Sequence, residues 1–209
     1  MQMKKERKDF IKSRKTILQI AESLFTEHGV DKITMRKIAT TAGIGQGTLY
    51  RHYAHKGEIC QDLMKESSLE FIEEVTNFLE NTPGISLQER LIEMVQYCVN
   101  YIDEHCNWLV YLQAPSCEEK QQLMYHSQLY TFLYQEFCKL IDEVESERNN
   151  NDRDTGFRVD AMLASISPEL YVFLKEHRGY TKDAIKQKVA RLYIDPLFKE
   201  SVKGTEPVT

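Results

Sequence analysis

The chain has little of what marks several large protein classes. It holds no run of about 18 apolar residues, so no membrane-crossing helix is expected. Its first residues, MQMKKERKDF, are basic but lack the apolar core and small-residue cleavage site of a secretory leader, and a cytoplasmic location is expected. The five cysteines (Cys60, Cys98, Cys106, Cys117, Cys138) are odd in number and none stands in C-x-x-C spacing, which speaks against a disulfide framework and fits a reducing compartment. Cys98 and Cys106 flank His105 without the spacing of a ligand set, so each cysteine reads as a buried, inert thiol, with no metal expected. Phosphate-binding loop, dinucleotide fingerprint and nucleophile elbow are all missing; neither an enzyme nor a bound cofactor is expected. No stretch sustains the apolar/polar alternation of a half-buried strand.

Glycine is scarce as well, with nine in 209 residues, yet three fall within five positions: Gly43, Gly45 and Gly47. Each lowers helix propensity, so a turn beside a helix start is the natural reading. A content of 42% hydrophobic and 28% charged residues is enough to build a core. The net charge of −5 is unevenly spread: residues 1–60 carry twelve Lys/Arg against six Asp/Glu, and the remainder is net −11. A basic head that meets a polyanion and an acidic body that does not would produce this pattern; so would two unrelated solvated surfaces.

Periodicity is helical throughout. Ile17, Ala21, Leu24 and Phe25 mark a first helix ending near Gly29. Thr34 is a good N-cap for a short second helix over 35–42, and Gly43 stops it as a left-handed residue would. A third short helix over 46–53 and a long fourth over 56–80 follow. Asn81-Thr82-Pro83-Gly84 is a break. Ser86-Leu87-Gln88-Glu89 has capping-box form and opens a helix through Ile102, with a separate short helix expected over 108–113 before Pro115. Ser116-Cys117-Glu118-Glu119 repeats that form and predicts a long helix to about Glu147. A polar turn over 148–156 leads to a helix over 157–177, kinked at Pro168, and to a last helix over 182–198.

Two short helices joined by a glycine turn form a helix-turn-helix, whose second helix enters the major groove of DNA. Thr34-Met35-Arg36-Lys37-Ile38-Ala39, then Ala42-Gly43-Ile44-Gly45-Gln46-Gly47-Thr48-Leu49-Tyr50-Arg51-His52-Tyr53 and Lys56, resemble the signature of the tetracycline-repressor (TetR) family over about residues 11–60. Gly45 departs from the Ser or Ala usual there. The resemblance implies an all-α protein of about nine helices. Residues 1–57 would be the DNA-binding module, with helix 56–80 as connector. Residues 58–200 would be a ligand-binding and dimerisation domain, and 201–209 a polar tail. It further implies a dimeric regulator, most simply a repressor, that reads a palindromic duplex operator and is released by a small effector. Some family members answer to a protein partner instead.

On this resemblance Gln46 and Arg36 are candidates for base edges, since Gln pairs with adenine and Arg with guanine in bidentate fashion. Arg36 suits a phosphate equally well. Thr48, Tyr50, Lys56 and Thr34 are candidate phosphate contacts, His52 a groove-edge group, and Gly45 and Gly47 allow close backbone approach. Leu49 and Ile38 are expected in the core, and Tyr53 against the first helix. Lys4, Lys5, Arg7 and Lys8 are either a DNA-reaching arm or a solvated tail. A membrane-surface role for this basic segment is opposed by Glu22 and Glu27 on its polar face. Dimerisation is expected through Leu163, Ile166, Leu170, Phe173, Leu174, Ile185, Val189, Leu192 and Tyr193. Nine of eleven tyrosines lie beyond residue 80. An effector site is therefore sought at Met94, Tyr97, Tyr101, His105, Trp108, Tyr111, Met124, Tyr130 and Tyr134, suiting a hydrophobic or aromatic compound, cationic ones included. Each of these side chains also reads as ordinary packing.

Overall fold

The computed structural model describes residues 2–113, 127–147 and 154–199, apart from the side chains of residues 2–9, 107, 111–113 and 147. Among them all regular structure is helical. The order is α1 (Gln2–His28), a 3₁₀ turn (Val30–Lys32), α2 (Met35–Thr41), α3 (Gln46–His52), α4 (Lys56–Asn81), α5 (Leu87–Gln113), α6 (Gln128–Glu147), α7 (Thr155–Ser165), α8 (Pro168–Glu176), α9 (Lys182–Val189) and α10 (Asp195–Phe198), with a π turn, Ala190–Ile194, between the last two.

The chain packs as two units, residues 1–76 with 101–131, and residues 77–100 with 132–209, so the division falls inside α4, α5 and α6. In the first unit α1 packs on α2 and α2 on α3. Ile17, Ala21, Phe25, Ile38, Ala39, Leu49, Ile59 and Cys60 are almost fully out of water there. The apolar stripe of α1 and single apolar positions on α2 and α3 thus close one small core, as expected. The second unit buries Leu91, Met94, Val95, Phe137, Ile141, Val159, Met162, Tyr171, Ile185 and Ile194.

Local chemistry sets the helix ends. The Ser86 box forms: Glu89 N–H donates to Ser86 Oγ at 3.2 Å, and Ser86 N–H donates to Glu89 Oε2 at 2.9 Å. Asp154, Ser167 and Thr181 accept from the third residue of α7, α8 and α9 respectively.

Three expectations need correction. Residues 108–113 are not a separate helix but the last turns of α5, because 103–107 (DEHCN) contain neither Gly nor Pro and an established helix propagates through them. Residues 157–177 are not one kinked helix. Ser167 caps a new helix and Pro168 takes its first position, where a missing N–H costs nothing. The described start of α6 is Gln128, capped by Ser127, whose Oγ accepts from Tyr130 N–H at 3.1 Å. The 116–119 motif lies outside the described residues.

Candidate nucleic-acid interface

The turn between α2 and α3 is built from backbone hydrogen bonds that only a left-handed residue allows. Gly43 has φ +66°, its N–H donates to Thr40 O at 3.2 Å, and Ile44 N–H donates back to Ala39 O at 3.0 Å. This is a Schellman closure of α2. At its other end, Thr34 Oγ1 accepts from Lys37 N–H at 3.1 Å. Gly45, extended at φ −67° and ψ 144°, is the N-cap of α3 and has no side chain to cap with. Its carbonyl accepts from Thr48 and Leu49 N–H at 2.9 and 3.1 Å.

With α3 anchored by the fully buried Leu49, its first turn faces out. Gln46 and Gly47 are exposed and Tyr50 is 53% exposed. A Cβ built on Gly47 meets no protein atom within 4 Å, so no packing inside the chain requires glycine there. Arg36 and Thr34 are exposed on α2. Thr48 is half-buried, and its Oγ1 accepts from Arg51 Nη2 at 3.1 Å, while Arg51 Nε donates to Gly47 O at 3.3 Å. Arg51, not foreseen from the sequence, is thereby folded along α3 as an exposed cation beside Gly47 and Thr48.

Two candidates are tied into the unit rather than simply extended. Lys56 Nζ donates to Val30 O at 2.6 Å, joining the start of α4 to the 3₁₀ turn. His52 stacks on Phe10 of α1 with ring centroids 3.9 Å apart. Burial, then the charges of Arg51 and Arg14, hold the His52 imidazole below its ordinary pKa. Phe10 could have been found as the residue seven before Ile17, on the same stripe. Tyr53 is buried as expected. Its hydroxyl donates to Asp62 Oδ2 at 2.8 Å; the same oxygen takes Arg14 Nε at 3.0 Å, and Arg14 Nη1 holds Glu66 Oε1 at 2.7 Å. One arginine of α1 and the last cap of α3 thus share a carboxylate of α4, which fixes the three elements relative to each other.

The residues sought as an effector site divide between the two units. Met94, Tyr97 and Tyr134 belong to the second unit, and Tyr101, His105, Trp108 and Tyr130 to the first. Met124 and the side chain of Tyr111 lie outside the described residues. Tyr97 packs on Phe78 with ring centroids 5.4 Å apart, both rings half-buried. Tyr101, His105 and Trp108 do form a continuous row, with ring centroids 4.7 and 5.0 Å apart. Tyr101 shares hydrogen bonds with Ser67 at 2.7 Å and Ser68 at 3.4 Å. Burial holds the His105 imidazole below its ordinary pKa against the opposing pull of Glu104. Trp108 is fully buried, and its Nε1–H finds no partner among the described residues.

The set expected at a dimer interface also divides. Leu163, Ile166, Ile185 and Val189 are buried within the single chain, and Tyr193 donates its hydroxyl to Ala161 O at 3.3 Å. These form intramolecular core, because α7 and α9 need partners inside the unit. Leu174 is half-buried. Leu170, Phe173 and Leu192 are 37, 42 and 65% exposed, and Phe157, not foreseen, is 71% exposed.

Residues 17–63 match the model of the bacterial regulatory proteins, tetR family. Over 191 residues, 90% of this chain and 96% of the relative, the sequence is 28% identical to the HTH-type transcriptional regulator SAB2452 of Staphylococcus aureus. A putative TetR-family transcriptional regulator from Syntrophomonas wolfei has the same fold, with a TM-score of 0.68 at 18% identity over 92% of this chain and 98% of that one. The regulator FadR from Bacillus subtilis, solved with stearoyl-CoA, follows at 0.67 and 18% identity, covering 86% and 96%. With the glycine turn, the buried Leu49 and the outward first turn of α3 falling inside the matched segment, the chain belongs to the tetR family and is a transcriptional regulator.

Proposed function

We propose that this regulator is a repressor that binds a palindromic duplex operator as a homodimer in the cytoplasm and leaves it when a small effector binds. The observation that carries the DNA reading is the outward first turn of α3, with Gln46 and Gly47 exposed over a buried Leu49. Gln46 and Arg36 read base edges, and Thr34, Thr48, Tyr50 and Lys56 hold phosphates. Gly45 and Gly47 let the helix start, with its outward N–H groups, approach a phosphate closely. His52 stands at the groove edge. Residues 1–57 form this module, α4 connects it to a regulatory part over 58–200, and 201–209 is a tail.

One short helix reads few base pairs, so two half-sites about 34–36 Å apart are the geometric expectation for a dimer. Phe157, Leu170, Phe173 and Leu192 offer the exposed apolar surface that such pairing would bury. The effector reading rests on Tyr101, His105 and Trp108, where a buried indole N–H without an acceptor among the described residues invites one from a ligand. Stearoyl-CoA in the Bacillus FadR and choline in a Saccharomonospora viridis regulator of the same fold support a small-molecule effector of apolar or cationic character.

Selection of duplexes from a randomised pool tests the reading. An inverted repeat should emerge. Gln46→Ala should relax preference at one base pair by about 1–3 kcal/mol, whereas Tyr50→Phe should weaken all sequences alike. A pool that enriches no sequence would overturn the operator claim.

A further inference from the structure

Helix α1 begins at Gln2, and among its described side chains, from Phe10 onward, the first fully buried one is Ile17. At about 1.5 Å per residue, some 20 Å of helix precede Ile17. Residues 1–16 carry seven Lys/Arg against two Asp/Glu, and the first turn holds no acid. Cations at this end oppose the helix dipole, so the segment is not composed for its own stability. A polyanion laid against it would remove that penalty.

The structure sorts these cations by face. Arg14 turns inward and is held by Asp62 and Glu66. Lys12 and Lys15 turn outward, are exposed, and with Ile11, Thr16 and Gln19 line one shallow hollow on the helix. Phe10, stacked on His52, holds this half of α1 beside the last turn of the recognition helix α3. We propose that the N-terminal half of α1 is a second DNA-contacting element, which lays Lys12 and Lys15 on the phosphate backbone flanking the groove read by α3. The occupant is duplex DNA because both charged side chains of the hollow are cations, and because Phe10 holds this half of α1 beside α3, which on the operator reading already sits on a duplex. The inference rests on the operator reading above. It makes the contact indifferent to sequence.

The test uses the full chain and a labelled duplex selected from a randomised pool by the wild-type protein, titrated at a series of salt concentrations. Lys12→Ala with Lys15→Ala should lower the slope of log affinity against log salt by about 1.8 per chain, since each phosphate contact contributes about 0.9. Between roughly 50 and 200 mM salt the variant should therefore lose about twelve-fold less affinity than wild type per bound chain, about 150-fold less for a bound dimer. Base preference in a repeated selection should stay the same, and the Arg/Arg double variant should keep the wild-type slope. An unchanged slope in the Ala/Ala variant, or a shifted base preference, overturns the proposal while operator binding stands. A wild-type chain that selects no duplex removes the operator reading itself. Vesicles of phosphatidylglycerol and phosphatidylcholine form the last arm: lysine-dependent vesicle binding with an unchanged DNA slope would assign the face to lipid and overturn the proposal.

Discussion

The same substitution should have opposite consequences at glycines four residues apart. Gly43 sits at φ +66°, and a Cβ there would meet nothing within 4 Å. Gly43→Ala therefore adds no clash. Its whole cost is holding an L-residue in the left-handed region, about 1–2 kcal/mol, drawn from folding. Gly47 lies in the first turn of α3, and a Cβ there also meets open space. Gly47→Ala should raise stability, by about 0.5 kcal/mol, half the mid-helix difference because the first turn is partly frayed. The methyl would instead meet DNA. Overfilling a closed interface costs about 1–3 kcal/mol, which is roughly 5- to 150-fold in Kd. Gly45, extended, is the intermediate case: Gly45→Ser places a Cβ 4.0 Å from Thr48 Oγ1, an ordinary contact, and supplies a capping oxygen. It should gain a few tenths of a kcal/mol. Urea unfolding followed by circular dichroism gives the stabilities, and fluorescence anisotropy on a selected duplex gives the affinities. If Gly47→Ala binds that duplex as tightly as wild type, the close approach of backbone to DNA is wrong. If Gly43→Ala is as stable as wild type, the Schellman assignment is wrong.

Three further outcomes follow from the structure. The His52 and His105 imidazoles have pKa values lowered by burial, so the folded state binds fewer protons than the unfolded state. Their contribution is intact above the ordinary histidine pKa of about 6.5 and is lost as pH falls through the folded values; His52→Phe, which keeps a ring on Phe10, should flatten the fall of the urea midpoint below about pH 6.5. The Cys98 thiol is buried and pushed up to about 12 by that burial, so iodoacetamide at pH 8 should label it only in denaturant; labelling in the native protein would refute its burial. Phe173→Asp with Leu192→Asp changes two exposed apolar side chains, and should leave helicity unchanged while light scattering shifts from dimer to monomer mass; a dimer that persists would place the interface elsewhere.

Much of the helix-turn-helix module was legible in the chain itself. The 3.6-residue spacing of Ile17, Ala21 and Phe25, the cap at Thr34 and the glycine at 43 are local signals, and local backbone chemistry decides whether such a turn forms. The Ser86 box was readable for the same reason. The network of Arg14, Tyr53, Asp62 and Glu66 was not, because its members stand as many as 52 positions apart and carry no spacing to notice. The division of the aromatic residues between the two units was equally hidden.

What the sequence by itself determined is where helices start, where they turn, and that an exposed glutamine follows a glycine cap at the start of α3. Only the tertiary structure decided which apolar side chains are satisfied within the chain. Leu163, Ile185 and Val189 look no different in sequence from Leu170, Phe173 and Leu192, yet the first three are buried and the others face out. Apolar character states that a side chain gains by leaving water, and the packing of its neighbours decides whether its own chain or another molecule provides the cover.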